Sequence, residues 1–341
     1  MHPMASADAC GRCPQMHPQM HQNVWIGGEM MKDGILIINK PQWFTSFDVV
    51  AKVRKALGTK KVGHTGTLDP MATGVLIICV GKATALVNEL TCDDKVYRTT
   101  IKLGIKTNSG DMTGNIIDTY NDSLLPSYDD CKEMHLSETA KKVCETNMEF
   151  ANSLNYKFEH NSIDEVIKSF IGKQKQVPSI YSSIKVNGKK LYEYARNGEH
   201  VDVPERYIEV YDIYDISFNG KDEISYTVHC SKGTYIRTLN DDIAKKLGTI
   251  GTTMVLQRIK VGCYDITKSL DIDDITEEKI ISIENLFENK IEIQKEQLNK
   301  LLNGIEIDAD SEDGIYNIYC EEKYIGLGKI KDKKLKRFII L

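Results

Sequence analysis

Long apolar runs are missing: nothing in the 341 residues approaches the ~20 consecutive apolar residues of a membrane-spanning helix, so no bilayer anchor is expected. A cysteine framework is missing too. The nine cysteines (10, 13, 79, 92, 131, 144, 230, 263 and 320) are odd in number and irregular in spacing, which argues for free thiols in a reducing, cytoplasmic setting. Residues 1–30 have neither the apolar core of a signal peptide nor, with Arg12 as their one basic residue, the pattern of a transit peptide. No GxxxxGK followed by Ser or Thr is present, which removes a phosphate-cradling P-loop; no HxE with PCxxC is present, which removes a zinc deaminase. The chain also lacks a positive excess, its net charge being -5. That deficit is local, because ten Asp or Glu face four Lys between Asn121 and Glu165. Basic patches decide nucleic-acid binding, so that class of partner stays open.

What is present is a globular composition, 41% hydrophobic and 27% charged, in a chain long enough for one large and one small domain. Its focus is Gly63 to Gly74, GHTGTLDPMATG. Three glycines and a proline exclude a continuous helix or central strand, since Gly favours φ > 0 and Pro lacks a donor, so the stretch is a shaped loop. It carries one carboxylate, Asp69, and feeds an apolar run of strand length, Val75 to Val80. His64 and Asp69 have no third ligand at a metal-site spacing, so no metal is assigned. Cys10-x-x-Cys13 with His2, His17 and His21 offers a zinc reading that lacks a regular second half. Residues 1–30 read instead as a disordered or non-native tail.

Taken whole, the loop resembles the catalytic motif of the TruB-type tRNA pseudouridine synthases, in which the obligatory aspartate stands at the position of Asp69. Two further stretches carry the resemblance. Tyr181 to Arg196, YSSIKVNGKKLYEYAR, is similar to the family's YSALK-x-x-GKKLYEYAR. Its Lys185, Lys189, Lys190 and Arg196 interleave with Tyr181, Tyr192 and Tyr194, a mixture suited to phosphates and unstacked bases. His229 to Gly248 resembles a third motif and puts Tyr235 on the family's pocket tyrosine and Arg237 on the arginine that pairs with the aspartate. The resemblance further implies Lys40 at the flank of the cleft, Tyr97 as the tyrosine that stacks on the target base, and Leu256 as an apolar pocket wall. His64 is the group implied to enter the space that the base vacates. The resemblance covers roughly residues 34–118 and 163–341.

Other elements follow from pattern. Gly34 to Lys40 reads as a strand, and Thr45 or Ser46 as the cap of a helix with Val49, Val50, Val53 and Leu57 on its apolar face and Gly58 as its stop. Lys95 to Lys106 alternates as a half-buried strand. Residues 119–162 read as an acidic, mobile surface insertion with no counterpart of that length in bacterial members of the family. Asn219-Gly220 marks a type I′ turn between strands at Ile208 to Ser217 and Glu223 to Cys230. The C-terminal 28 residues alternate as three strands, carry seven Lys or Arg, and resemble a small PUA domain. The expected architecture is α+β: a pseudouridine synthase fold over residues 31–290, with a mixed, largely antiparallel sheet, flanking helices and a central RNA-binding cleft. A short PUA-like domain over 291–341 completes it.

The resemblance implies isomerisation of uridine 55 in the T loop of tRNA, with no guide RNA, no cofactor and no obligate protein partner, by a monomer. The guide-dependent, dyskerin-like branch is the rival within the family; its loop departs from this one after the Asp-Pro. A non-catalytic RNA-binding protein of the same fold is the rival outside it, and the presence of Asp69, Tyr97 and Arg237 argues against that.

Overall fold

The computed structural model describes residues 32–91, 94–120, 136–154, 156–159, 162–182 and 184–341. The 1–30 tail, with its cysteines and histidines, and residues 121–135 of the expected insertion lie outside the described residues.

The N-terminal part comprises β1 (Gly34–Lys40), α1 (Ser46–Leu57), β2 (Val62–His64), β3 (Thr73–Val80) and the short α2 (Val87–Leu90). Helix α1 starts where expected: the Thr45 hydroxyl accepts from the Asp48 amide while the Asp48 carboxylate accepts from the Thr45 amide. Such a cap contributes about 1 kcal/mol. The helix ends at Gly58 in the left-handed region, and Val49, Val50 and Val53 bury against Leu36, Ile38, Leu76 and Ile78 of β1 and β3.

Next come β4 (Lys95–Leu103), β5 (Ile105–Thr107), β6 (Ile116–Thr119), α3 (Leu136–Ser153), α4 (Ile163–Lys168), β7 (Gly172–Gln176), β8 (Lys185–Val186), β9 (Lys189–Lys190) and α5 (Leu191–Asn197). They are followed by β10 (Arg206–Phe218), β11 (Glu223–Cys230), α6 (Ile236–Lys246), β12 (Gly251–Val261), β13 (Tyr264–Asp265) and β14 (Ile281–Ser282). The main sheet runs β14-β1-β3-β12-β4-β11-β10-β7, with β2 on β3 and β13 on β12. Among the described strands of this sheet, only β3 and β12 pair in parallel. That contact is close: a Cβ on Gly74 would lie 2.2 Å from the Arg258 carbonyl oxygen, and its φ is 104°, so only glycine fits the end of the loop. The architecture is thus α+β with a mixed, largely antiparallel sheet.

The C-terminal part comprises β15 (Lys290–Glu292), α7 (Lys295–Leu302), β16 (Ile307–Asp308), β17 (Gly314–Cys320), β18 (Lys323–Lys331) and β19 (Lys334–Ile340). Its sheet runs β15-β17-β18-β19-β16. Leu327 and Ile339 join the cluster of Ile35, Ile37, Val75 and Ile77, so this sheet packs on the strands that carry the Gly63–Gly74 loop.

Three local expectations differ from what forms. The Lys95–Lys106 strand is broken at Gly104 and is buried on both faces rather than one, with Arg98 its one exposed residue in β4, because it is central and covered by α6. Asn219-Gly220 is not a two-residue turn. The last pair is Phe218 with Ile224, only Gly220 has positive φ, and the Asn219 side chain accepts from the amides of Lys221, Asp222 and Glu223 to brace a longer loop. Within the expected insertion, α3 is an 18-residue helix that packs on Ile105, Met112 and Ile116.

Candidate active site

The Gly63–Gly74 loop is held from several sides. The Leu68 amide donates to Ser46 Oγ (2.9 Å) and the Trp43 amide to the Pro70 carbonyl (2.7 Å), tying the loop to the start of α1. Lys40 sits beneath. Its ammonium is fully buried and donates to the carbonyls of Phe44 (2.6 Å), Pro41 (2.9 Å) and Pro70 (3.3 Å), the last being the residue after Asp69. Burial pushes the Lys40 pKa down to about 8, opposed by the nearby Asp69 carboxylate.

Asp69 meets Arg237 from the first turn of α6. Arg237 Nε lies 3.0 Å from Asp69 Oδ2 and Nη2 donates to Oδ1 at 3.3 Å, a two-point contact between planar groups. The guanidinium is spent on other partners as well: Nη1 donates to the Ser109 carbonyl (2.8 Å) and Asp111 Oδ2 (3.2 Å), and Nη2 to the Tyr181 carbonyl (3.1 Å). Its two terminal nitrogens thus make four hydrogen bonds, beside the close ion-pair contact of Nε with Asp69. Helix α6 is fixed in turn by Asn240, fully buried, which accepts from the Tyr226 hydroxyl (2.5 Å) and donates to Thr99 (3.0 Å) and Thr253 (2.8 Å) on the sheet.

Burial pushes the Asp69 carboxyl above the usual range, the Arg237 charge pulls it back down, and the neighbouring Asp111 carboxylate adds to the upward push. For Arg237, burial works against the charge, but Asp69 and Asp111 outweigh it and hold the guanidinium charged.

Above this pair opens a cleft of about 760 Å³. Asp69, Tyr97, Tyr235, Arg237 and Leu256, which the family resemblance places in one site, all line it. Tyr235 is held through its backbone by the Gln176 side chain, at 2.8 and 3.0 Å. Lys40 and His64 do not line the cleft. Lys40 supports the loop from below, and the His64 ring lies edge-on to the exposed Phe47 at 5.5 Å. Burial, with the Arg258 charge adding to it, lowers the His64 pKa.

The Tyr181–Arg196 segment forms the rim. Tyr181, Ser182 and Tyr192 line the cleft, while Lys185 is exposed on β8. Lys189 lies 4.6 Å over the Tyr194 ring and pairs with Glu199 at 2.7 Å, and Lys190 lies 5.3 Å over Tyr192. The Arg196 side chain lies outside the described residues.

Two site residues escaped the sequence reading. Arg258, almost fully buried, donates from Nε to the Val75 carbonyl (2.7 Å) and from Nη2 to the Gly66 carbonyl (3.3 Å), and its charge opposes the upward push of burial on the Tyr97 hydroxyl. Strand alternation was the available signal, because Arg258 is two residues from Leu256 and shares its face. Asp111 had none: a carboxylate in a Ser-Gly-Asp turn is as readily a local turn former. Among the described residues, no group of three or more His, Cys, Asp or Glu is placed to hold a metal ion.

A family model described as "TruB family pseudouridylate synthase (N terminal domain)" matches residues 54–143 and 131–236. The chain is 38% identical over 317 residues to the tRNA pseudouridine synthase B of Clostridium kluyveri, covering 89% of this chain and 98% of that one. It is 37% identical over 315 residues to that of Francisella philomiragia, covering 89% and 93%. Among solved structures, the archaeal box H/ACA sRNP Nop10-Cbf5 complex is similar with a TM-score of 0.55 at 20% identity, over 88% of this chain and 79% of that one. A Cbf5-Nop10-Gar1 complex gives 0.55 at 21%, over 87% and 78%. These structural likenesses speak to the fold. With the matched motifs, the family model and near full-length relatives in agreement, the chain belongs to the TruB family of pseudouridylate synthases.

Proposed function

We propose that this protein isomerises uridine 55 in the T loop of tRNA to pseudouridine, acting as a cytoplasmic monomer without guide RNA. The observation that carries the reading is the two-point contact of Asp69 with Arg237 at the floor of a cleft walled by Tyr97, Tyr235 and Leu256. Relatives named tRNA pseudouridine synthase B, matched over nearly their whole length, support the substrate class. The intact GHTGTLDPMATG loop favours the stand-alone branch over the guided one. Among the described residues no helix is long and apolar enough to cross a membrane, and the described cysteines are free thiols. Residues 31–290 are assigned the chemistry and 291–341 a supporting RNA contact.

In the reaction the N1–C1′ bond breaks, the uracil turns within the cleft, and a C5–C1′ bond forms while C5 loses a proton and N1 gains one. Composition is unchanged, so neither a redox partner nor a group donor is called for. Asp69 is the catalytic residue: attack at C1′, addition to C6 and removal of the C2′ proton all begin from its carboxylate. Burial alone would protonate it, and Arg237 opposes that while fixing its orientation. Everting the base costs a few kcal/mol, which stacking on Tyr97 offsets by about 1–3 kcal/mol. Burial raises the Tyr97 pKa, which favours its neutral phenol as a stacking surface. His64, with its lowered pKa, presents a neutral ring suited to the gap left in the RNA. Lys185, Lys189, Lys190 and Arg196 on the rim are assigned to phosphates.

The direct test is incubation of the purified chain with an unmodified tRNA transcript, followed by pseudouridine mapping. One new pseudouridine, at position 55, is expected; a transcript carrying cytidine there should gain none. No product, or product at another position, would overturn the reading.

A further inference from the structure

Helix α3 lies in the acidic segment whose purpose the sequence leaves unread. Its inner face is apolar: Ala151 and Met148, with Cys144 and Leu154, pack against Ile105, Met112 and Ile116. In the middle of that face stands Asn147, with 0% of its surface exposed. A buried amide is costly unless its hydrogen bonds are met. Asn147 directs both of its donors at one turn, from Nδ2 to the carbonyls of Met112 (2.8 Å) and Gly114 (2.7 Å).

Those two carbonyls belong to the turn that presents Asp111. Within it, Asp111 Oδ1 accepts from Ser109 Oγ (2.9 Å), the Thr113 amide (2.9 Å) and Thr113 Oγ1 (2.5 Å). Oδ2 is left facing Arg237 Nη1 at 3.2 Å. The same turn supplies the Ser109 carbonyl to Arg237. A continuous set of hydrogen bonds therefore runs from Asn147 through the turn to Asp111, Arg237 and Asp69.

The helix is secured beyond Asn147 at two more points. Asn152 Oδ1 accepts from the buried Lys102 ammonium (3.1 Å), which also pairs with Asp222 (3.1 Å) and Glu223 (3.0 Å). Just past the helix, Tyr156 lies flat on Gly104, where a Cβ would come within 2.7 Å of its ring, and bonds Thr249 (2.8 Å). A single polar residue in an apolar seam fixes the register of a helix, because any slip leaves the amide unpaired.

We propose that Asn147 is a positioning residue for the isomerisation: through the Met112 and Gly114 carbonyls, α3 holds Asp111 where it sets the Arg237–Asp69 geometry. This rests on the function proposed above. Asn147 does not line the cleft, and its two donors reach the site through the turn.

The test compares wild type, Asn147→Leu and Asn147→Ser by steady-state kinetics over a range of tRNA concentrations. Leu keeps the size and removes both donors, and a drop in kcat of about tenfold with KM within about twofold is expected, as for a group that orients others. The acidic limb of the rate profile should move to higher pH, because a less well-placed Arg237 lowers the Asp69 pKa less. Ser, which keeps one donor, should fall between. In an Asp111→Asn background the Asn147→Leu effect should shrink, since groups acting through one another are not additive. Activity that falls only with the folded fraction, with an unmoved limb and full additivity with Asp111→Asn, would overturn the proposal. Amide hydrogen exchange of residues 109–114 gives a readout independent of catalysis: faster exchange in the variants is expected even if wild type makes no pseudouridine, whereas unchanged exchange would refute the clamp.

Discussion

The floor and the rim of the cleft are built on opposite plans. At the floor, Arg237 makes four hydrogen bonds beside its Nε contact with Asp69, Lys40 spends its ammonium on three carbonyls, and Asn240 locks the helix beneath. At the rim, the two-residue strands β8 and β9 carry the lysines, and Lys189 and Lys190 meet a surface carboxylate and tyrosine faces. The floor is determined several times over, whereas the rim is held by interactions that water and salt readily replace. Catalytic geometry tolerates errors of a fraction of an ångström, while a surface that receives a folded RNA has to adapt; each plan suits its task.

The contrast is broken most directly at Asp69. Asp69→Asn should reduce turnover by at least about 10³-fold while RNA affinity stays within a few-fold, since phosphate contacts dominate binding. Tritium release and filter binding measure the two separately, and a large loss of affinity would mean that the floor also grips. Arg237→Lys comes next. It keeps the charge but cannot reproduce five planar donors, so kcat should fall by about 10²-fold. With the counter-charge displaced, burial dominates at Asp69, and the acidic limb of the profile should shift to higher pH. An unmoved limb would separate Arg237 from the ionisation of Asp69.

Lys40→Met tests whether the support under the loop is a source of stability or a cost. Burial holds the Lys40 pKa at about 8 against an ordinary value of 10.5, so between those pH values the unfolded chain binds more protons than the folded one. The stability of wild type relative to Lys40→Met should therefore rise as pH increases from about 8 to about 10.5, by up to about 3 kcal/mol. Denaturant midpoints at matched pH give the difference, and a constant gap across that window would contradict the burial argument. The smallest effects belong to the rim. Lys185→Ala or Lys190→Ala should raise KM by a few-fold with kcat unchanged, and reduce the slope of log affinity against log salt by about one.

How much of this was legible beforehand follows the same division. The floor's Asp69 and Arg237 stand in contiguous motifs, and Tyr97 and Leu256 stand at positions where strand alternation and resemblance coincide. Asp111 and Arg258 became visible only through tertiary contacts, one as a turn residue with plausible local bonding, the other as a charge in an apolar strand. The sequence around α3 was misread for a physical reason: the acidity of the segment as a whole and the charged outer face of the helix, with Glu138, Lys141, Lys142, Glu145 and Glu149, mask a single apolar stripe with one amide inside it. The break at Gly104 was invisible because the need for it comes from Tyr156, about fifty residues later.

The parallel seam between β3 and β12 has a consequence for the order in which the molecule is made. Gly74 is shaped to receive the backbone of Arg258, and Arg258 closes on the carbonyls of Gly66 and Val75. A nascent chain emerging from the ribosome displays the aspartate early but lacks the strand that frames it until residue 258 has been synthesised. Competence is thus postponed until β12 has been made, and a product cut short before it carries the reactive side chain without the means to use it.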